Sequence, residues 1–313
     1  FADPSAVATA SVLMAVLTAF TLFANSVIIL AMTWSKKNRP AKARSNNEIP
    51  RHLMTSLAAC DLVWGGVGMT LGVAEVAENG RWIFGPMVCV FRLYVTYVWV
   101  SVSVYHVNCL AVDRCLAICK PWLYRSLTNK TGYFMVAVSW VVPAALCIGT
   151  VSDVITGTET DKNTTCFITD LECMKRLKTF SYGLSIFLAF YGPFLCLYLL
   201  NTFLMIKVNF ILKKRESIDT NKPYGQVSGN GHPKSGQGSG NIRAFKTVGI
   251  LVVGFTVCWC PALGIVCLYF NLLEGLPPHL TVVLWMSYIN TAVNPFLYCM
   301  NRSVRQAVKR LLE

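Results

Sequence analysis

Seven long apolar stretches restrict the folds open to this chain. They are residues 5–34, 51–77, 87–119, 133–151, 179–212, 243–270 and 281–300. A helix needs about 20 apolar residues to cross the ~30 Å hydrocarbon core of a bilayer, whereas buried helices of soluble proteins carry amphipathic runs of about 10–14. Hydrophobic residues make up 54% of the chain and charged residues only 14%. The sequence therefore predicts an all-α membrane protein, a bundle of seven transmembrane helices forming a single domain over residues 1–313.

Two shorter segments accompany the spans. Residues 303–312 place Val304, Val308 and Leu311 on one side and basic residues largely elsewhere, which predicts a short amphipathic eighth helix lying on the membrane surface. Residues 213–241 connect the fifth and sixth spans and become rich in Gly and Ser. This composition predicts a flexible inner loop.

The distribution of charge predicts the orientation. Most of the 28 basic residues lie in the tail and in the loops after the first, third and fifth spans, while acidic residues concentrate in the opposite loops. Short cytoplasmic loops carry an excess of Lys and Arg, so we expect a multi-pass plasma-membrane protein with its N-terminus outside and its C-terminus cytoplasmic. Anionic inner-leaflet lipid is a sufficient partner for the net charge of +13, and nucleic acid is not required.

The cysteines and one sequon concern the outer side. Most of the 13 cysteines lie inside apolar spans, where a thiol behaves as a small hydrophobe. Cys89, Cys166 and Cys173 are on the outer side, and a disulfide between Cys89 and Cys166 is the favoured pairing, with Cys173 as the alternative partner. Asn163 begins a glycosylation sequon in the same outer loop.

Polar groups lie near the middle of several spans. Because a charge or amide there costs at least ~2.5 kcal/mol, each is a functional candidate. Oxygen-bearing side chains around a buried carboxylate would suit a sodium ion, the one candidate bound ion or cofactor. The alternative is a structural hydrogen-bond network that holds the helices together. The set is Asp61, Ser103, Asn290 and Asn294.

Other features suggest a helix bundle with two arrangements. Pro193, Pro261 and Pro295 lie in mid-span, where each removes a backbone hydrogen bond and permits a kink. Asp113 and Arg114 end the third span. They are either an ion pair that anchors the helix or a latch in which Asp113 holds Arg114 until the sixth span moves outward.

These motifs occur together in the rhodopsin-like (class A) G protein-coupled receptors, which the chain resembles over nearly its whole length. The resemblance implies a receptor that passes an extracellular small-molecule signal to a heterotrimeric G protein, and not an enzyme. The matching motifs are Asn25, Leu57 to Asp61, Asp113-Arg114-Cys115, Trp140, Pro193, Cys258 to Pro261, and Asn294 to Tyr298.

Within the family, local features look like the biogenic-amine receptors of adrenergic, octopamine and dopamine type. However, Thr96 stands where those receptors keep an aspartate for the ligand ammonium. Threonine cannot supply that counter-charge, and a desolvated cation without one is costly. The implied pocket is therefore mostly neutral: Thr96, Tyr97, Val100, Ser185, Ala189, Trp259, Leu263, Val266, Leu284 and Tyr288.

The altered pocket leaves the ligand open. A steroid or lipid would suit it as well as an amine, and a constitutively active orphan receptor is a further alternative. A transporter would predict internal repeats or a charged path through several spans, and the sequence has neither.

The resemblance also implies a mechanism and partners. Ligand contact rearranges a switch formed by Val104, Pro193, Phe255, Trp259, Pro295 and Tyr298, and the sixth span then swings and releases Arg114 from Asp113. The G protein is expected to contact Arg114, Pro121, Trp122, Lys207, Arg243 and Lys246. Arrestin and receptor kinases are further expected partners.

Overall fold

The computed structural model describes residues 3–38, 48–155, 184, 187–220, 249–250, 252–259 and 280–313. All regular structure among these residues is helical. The long helices are Pro4–Lys37, Ile49–Trp64 continuing through Thr70–Ala77, Gly85–Cys119, Asn129–Ile155, Gly192–Thr220 and Leu280–Cys299, and the short ones are Pro121–Ser126 and Arg302–Leu312. Residues 252–259 are helical within the predicted sixth span.

Five of these helical segments are long and apolar enough to cross a membrane. They are Pro4–Lys37, Ile49–Ala77, Met87–Cys119, Asn129–Gly149 and Phe187–Lys213. The all-α membrane fold predicted from the sequence is confirmed in the part of the chain that the structure describes. The fifth-span helix continues through Thr220, so residues 213–220 of the predicted flexible loop are helical.

Local chemistry fixes two helix ends. The Asp3 carboxylate accepts a hydrogen bond from the Ser5 backbone N–H at 3.1 Å, and Pro4 occupies the first turn, where its missing N–H has no cost. The Asn301 side chain likewise accepts from the Ser303 backbone N–H at 3.0 Å. This cap turns the chain out of the seventh span into the amphipathic last helix, which buries Val304 fully.

A π-helical turn over Gly65–Met69 interrupts the second span. A Cβ atom at position 68 would overlap the six-membered ring of Trp64. Gly68 therefore makes room for a buried indole inside the bundle, which is the close approach that favours glycine.

The third span is the centre of the bundle. Its side chains form hydrogen bonds with the second, fourth and fifth spans. Tyr94, in the outer half, donates to the Ala144 carbonyl at 3.3 Å, and Tyr105, just past the middle of the helix, donates to the Leu188 carbonyl at 3.0 Å. Apolar side chains on the first span face outward, with Val12, Leu13 and Phe23 each about two-thirds exposed (62%, 60% and 68%). Such a surface is suited to lipid.

Candidate functional site

The buried carboxylate of the second span is bonded on both oxygens. Asp61 is fully buried, and its Oδ2 accepts a hydrogen bond from Asn294 Nδ2 on the seventh span at 2.9 Å. Its Oδ1 accepts from the indole Nε1 of Trp99 on the third span at 3.2 Å. Two N–H donors match an ionised carboxylate, which can only accept. Trp99 was not among the residues predicted for this site.

The other two residues predicted for a sodium site make different contacts. The Ser103 hydroxyl donates to the Trp99 backbone carbonyl at 2.8 Å, one turn earlier on its own helix. Asn290 is buried, and its Nδ2 has no hydrogen-bond partner among the described residues. Of the four predicted side chains, the structure therefore joins Asp61 and Asn294 directly, and it places an indole beside them.

Trp99 belongs to an aromatic cluster that crosses the bundle. Its ring stacks on Trp64, with centroids 4.4 Å apart and planes 7° apart. It also lies 5.2 Å from Trp259 of the sixth span and 6.3 Å from Tyr288 of the seventh. Trp259 in turn lies 5.9 Å from Phe255. The predicted switch residues Trp259 and Phe255 are thus in aromatic contact with the residue that binds Asp61.

A buried ion pair lies towards the outer end of the bundle. Glu75 is 5% exposed, and its Oε2 lies 2.5 Å from Arg92 Nη1. The Arg92 guanidinium lies over the Trp82 ring at 5.3 Å, within cation–π distance. The pair therefore joins the second and third spans and presents no net charge.

Thr96 lies one turn below Arg92 on the third span. Its hydroxyl donates to the Arg92 backbone carbonyl at 2.8 Å, and the residue is half-buried. Val100, Ala189, Trp259 and Tyr288 of the predicted pocket are buried. Tyr97 is half-buried, Leu284 lies on the seventh-span helix, and Ser185, Leu263 and Val266 lie outside the described residues.

An asparagine connects two predicted switch residues. Asn108 Nδ2 donates to the carbonyl of Val104 at 3.0 Å and to that of Pro193 at 2.9 Å. A side chain of the third span therefore binds the backbone directly at the fifth-span proline. Phe194, next to Pro193, lies 5.1 Å from Phe255. Asn108 was not predicted as part of the switch.

The inner end of the third span carries a three-residue contact. Arg114 donates to Asp113 Oδ2, through Nε at 2.8 Å and also through Nη2, and Nη2 donates to the Tyr124 hydroxyl at 3.1 Å. Burial raises the pKa of Tyr124 to about 12, and the neighbouring Asp113 acts in the same direction. The phenol therefore keeps its proton at neutral pH. Tyr124, from the short helix after the third span, is a member that the motif alone did not identify.

The seventh span contributes Pro295 and Tyr298, both buried in its inner half. The Tyr298 hydroxyl has no hydrogen-bond partner within the described part of the chain. On the neighbouring first span, Asn25 Nδ2 donates to the Thr291 carbonyl at 3.1 Å. The two spans are therefore joined near the predicted kink.

Three further residues predicted to contact the G protein, Pro121, Trp122 and Lys207, lie within the described part of the chain. Pro121 is exposed, Trp122 is 73% exposed, and Lys207 is exposed with its ammonium 5.9 Å from the Phe203 ring centroid. Arg243 and Lys246 lie outside the described residues.

The predicted disulfide and glycosylation site are only partly within the described residues. Cys89 is disulfide-bonded, but Cys166 and Cys173 both lie outside the described residues, as does the sequon residue Asn163. The pairing of Cys89 with Cys166 and the glycosylation of Asn163 stay predictions.

His106 is part of a structural network. Its Nε2 lies 2.9 Å from Ser56 Oγ, and its Nδ1 lies 2.8 Å from the Val102 carbonyl, which can only accept. The proton therefore sits on Nδ1, and Ser56 donates to Nε2 while accepting from the indole of Trp140 at 2.9 Å. This arrangement is the helix-packing role expected for a histidine in mid-span.

The family model described as 7 transmembrane receptor (rhodopsin family) matches residues 24–298 of this chain. The chain belongs to the rhodopsin family of seven-transmembrane receptors. Its motifs therefore have the family context that the sequence resemblance implied.

The chain is similar in sequence to several receptors that are named for amines. Mouse trace amine-associated receptor 1 is 27% identical over 292 residues, which cover 91% of this chain and 82% of the relative. Mouse trace amine-associated receptor 5 is 28% identical over 83% of this chain and 74% of the relative. Human 5-hydroxytryptamine receptor 4 is 26% identical over 91% of this chain and 74% of the relative.

Family membership establishes the general activity. The protein is a multi-pass plasma-membrane receptor and not an enzyme, and it transmits a small-molecule signal to a G protein. The similarity to these named receptors confirms the resemblance to biogenic-amine receptors.

Proposed function

We propose that this receptor binds a small aromatic molecule of the size that amine receptors accept, without an ammonium–carboxylate anchor on the third span. One observation carries the proposal. The Thr96 hydroxyl is bonded to its own helix, and the acidic side chain above it, Glu75, is bonded to Arg92.

The energetic reason is the cost of an uncompensated cation. An ammonium that leaves water loses several kcal/mol of hydration and needs a charged acceptor to recover it. The Glu75 carboxylate is already matched by a guanidinium at 2.5 Å, so the pair offers dipoles and not a net negative charge. Aromatic walls at Trp259 and Tyr288 favour a flat apolar ligand body.

An amine is the second candidate, because the relatives are named as receptors for trace amines and 5-hydroxytryptamine. In that case the ammonium would displace Arg92 and bind Glu75. Glu75 lies on the second span, so the ligand would be anchored on a different helix from that used by the amine subfamily. A larger steroid-like or lipid ligand is the third candidate, and the test described below includes it.

The proposed signal passes along contacts already described. Ligand binding beside Trp259 changes its packing against Phe255 and Trp99, and the Asn108 bond to the Pro193 carbonyl connects this change to the fifth span. Movement of the fifth and sixth spans then exposes Arg114, which leaves Asp113 and Tyr124 and contacts the G protein beside Trp122.

Orientation and further partners follow from the same account. The basic residues of the inner loops support a cytoplasmic C-terminus and contact with anionic inner-leaflet lipid. Arrestin and receptor kinases would use the inner surface around Trp122 and Lys207, which is exposed in the described residues.

The test is a panel of neutral aromatic compounds, matched amines and steroids, read as nucleotide exchange on a G protein. The wild-type receptor is expected to respond to compounds without an ammonium. Thr96→Asp should raise amine potency at least about tenfold, because a charge-assisted hydrogen bond contributes about 1.5–3 kcal/mol. Thr96→Asn, which has nearly the same shape without the charge, is the control. A wild-type response confined to amines and abolished by Glu75→Gln would refute the proposal in favour of the second candidate.

A further inference from the structure

A tryptophan lies where the mid-membrane carboxylate would hold a cation. We propose that Trp99 takes the place of a sodium ion in this receptor: its indole N–H, with the Asn294 amide, satisfies Asp61, so the receptor neither binds nor responds to sodium at this site.

The first argument concerns the donors around the carboxylate. Asp61 Oδ1 accepts from Trp99 Nε1 at 3.2 Å, and Oδ2 accepts from Asn294 Nδ2 at 2.9 Å. A sodium ion needs several oxygen ligands that present lone pairs. Here each carboxylate oxygen instead faces the positive end of an N–H dipole, which repels a cation. The donor set fits an ionised carboxylate that is stabilised by hydrogen bonds.

The second argument concerns the hydroxyl that would complete an ion site. Ser103 donates its hydroxyl proton to the Trp99 backbone carbonyl at 2.8 Å and makes no described contact with Asp61. The amide of Asn290 leaves its Nδ2 without a partner among the described residues and so adds a further buried N–H group at this level of the bundle. Neither of these two predicted ligands makes a described hydrogen bond to the carboxylate.

The third argument concerns the rigidity of the indole. An ion that replaced the indole N–H on Asp61 Oδ1 would require the Trp99 ring to move aside. That ring is 2% exposed and stacks on Trp64 at 4.4 Å, and the Trp64 ring in turn fills the space left by Gly68. Trp259 lies 5.2 Å from Trp99 on another side. Moving the indole would break these aromatic contacts, which add to the stability gained from buried area.

The consequence is a difference in regulation. A bound ion leaves and returns with concentration, whereas a covalently attached donor does not. Because Trp99 touches both Asp61 and Trp259, the hydrogen bond and the sixth-span contact belong to one side chain. The sodium gradient should then have no direct effect on the balance between the resting and signalling arrangements.

Thermal unfolding of the full-length purified receptor tests this without any ligand. Sodium chloride is compared with N-methyl-D-glucamine chloride at equal ionic strength. The wild-type midpoint should be the same in both salts. Trp99→Phe keeps an aromatic ring, removes the N–H and leaves room beside Asp61, so sodium should raise its midpoint by about 2 °C or more. Adding Asp61→Asn to that variant should remove the sodium effect.

Trp64→Phe is the matched control. Trp64 is equally buried and lies in the same stack, but its Nε1 has no hydrogen-bond partner among the described residues. The unfolding midpoint of the Trp64→Phe variant should not depend on sodium. In N-methyl-D-glucamine chloride this variant should lose less stability than Trp99→Phe. A wild-type receptor that sodium stabilises, with the effect abolished by Asp61→Asn, would overturn the proposal. So would a Trp99→Phe variant that is insensitive to sodium.

Discussion

Removing Arg92 should destabilise the receptor because it leaves a carboxylate buried without its partner. The Arg92 and Glu75 side chains are each 6% exposed, and their charged atoms lie 2.5 Å apart. Breaking a buried pair from one side typically costs about 3–5 kcal/mol, whereas replacing both partners by apolar side chains is often neutral or stabilising. Arg92→Met should therefore lower stability by about 3 kcal/mol or more, and Arg92→Met with Glu75→Leu should recover most of that loss.

Part of the stability lost in Arg92→Met comes from a second contact. The guanidinium also lies over the Trp82 ring at 5.3 Å, and such a contact contributes about 0.5–1 kcal/mol. That contribution is absent from both the single and the double variant, so it cancels in a double-mutant cycle. The coupling energy between positions 75 and 92 should then be about 2–4 kcal/mol.

The assay is thermal unfolding of purified wild-type receptor, both single variants and the double variant. At about 2–4 °C for each kcal/mol, the Arg92→Met midpoint should fall by at least about 6 °C. Glu78→Gln is the control, since Glu78 lies on the same rim but is exposed. If Arg92→Met unfolds at the same temperature as Glu78→Gln, the pair is not a buried structural contact. The neutral-pocket argument would then lose its basis.

Three further predictions concern other contacts. Gly68→Ala should cost about 1–3 kcal/mol in unfolding measurements because its Cβ would overlap Trp64, while Gly66→Ala, whose Cβ would meet an atom only at 4.0 Å, should be well tolerated. Ser56→Ala should lower the free energy of unfolding by about 1–3 kcal/mol, since it removes the partner of His106 Nε2 and of the Trp140 indole N–H. An unchanged unfolding midpoint would contradict this hydrogen-bond network. Tyr124→Phe removes a bond to Arg114 and should raise ligand-independent nucleotide exchange up to about fivefold, with an unchanged rate counting against the latch.

The effect of pH at Tyr124 follows from the direction of its shift. Its folded pKa, about 12, is above its usual value of 10.0, so folding favours the neutral phenol. The stabilisation is fully present below about pH 10 and is lost as the pH rises through about 12. Ultraviolet titration of wild type against Tyr124→Phe should show one phenol that ionises late.

The sequence predicted the architecture because membrane helices have a simple signature. In a bilayer every backbone group must be bonded within its own segment, so long apolar runs identify helices directly. The described helix Gly85–Cys119 begins two residues before the predicted 87–119 and ends at the same residue. The motif of Asp113 and Arg114 was simple to recognise because the two residues are adjacent in the chain, and their side chains are bonded in the structure. Its role as a latch stays a prediction.

Contacts between spans were harder to predict because they depend on helix rotation. Trp99 lies in an apolar run and looks like a lipid-facing or core residue, and only the packing brings its N–H to Asp61 on another helix. The pairing of Glu75 with Arg92 was not predicted, because it depends on how the second and third spans pack, and this packing buries both side chains. The sequence did contain one signal for the contact of Trp99. Trp99 lies four residues before Ser103, so the two side chains face the same side of the helix.

Nucleotide exchange on a heterotrimeric G protein, measured with purified receptor in lipid vesicles, tests the central claim most directly. Arg114, bonded to Asp113 and Tyr124, is held as the residue that the signalling state releases. The account predicts that the wild-type receptor accelerates exchange and that Arg114→Ala abolishes this acceleration while the receptor still reaches the membrane. Ligand-driven exchange that survives intact in Arg114→Ala would contradict it.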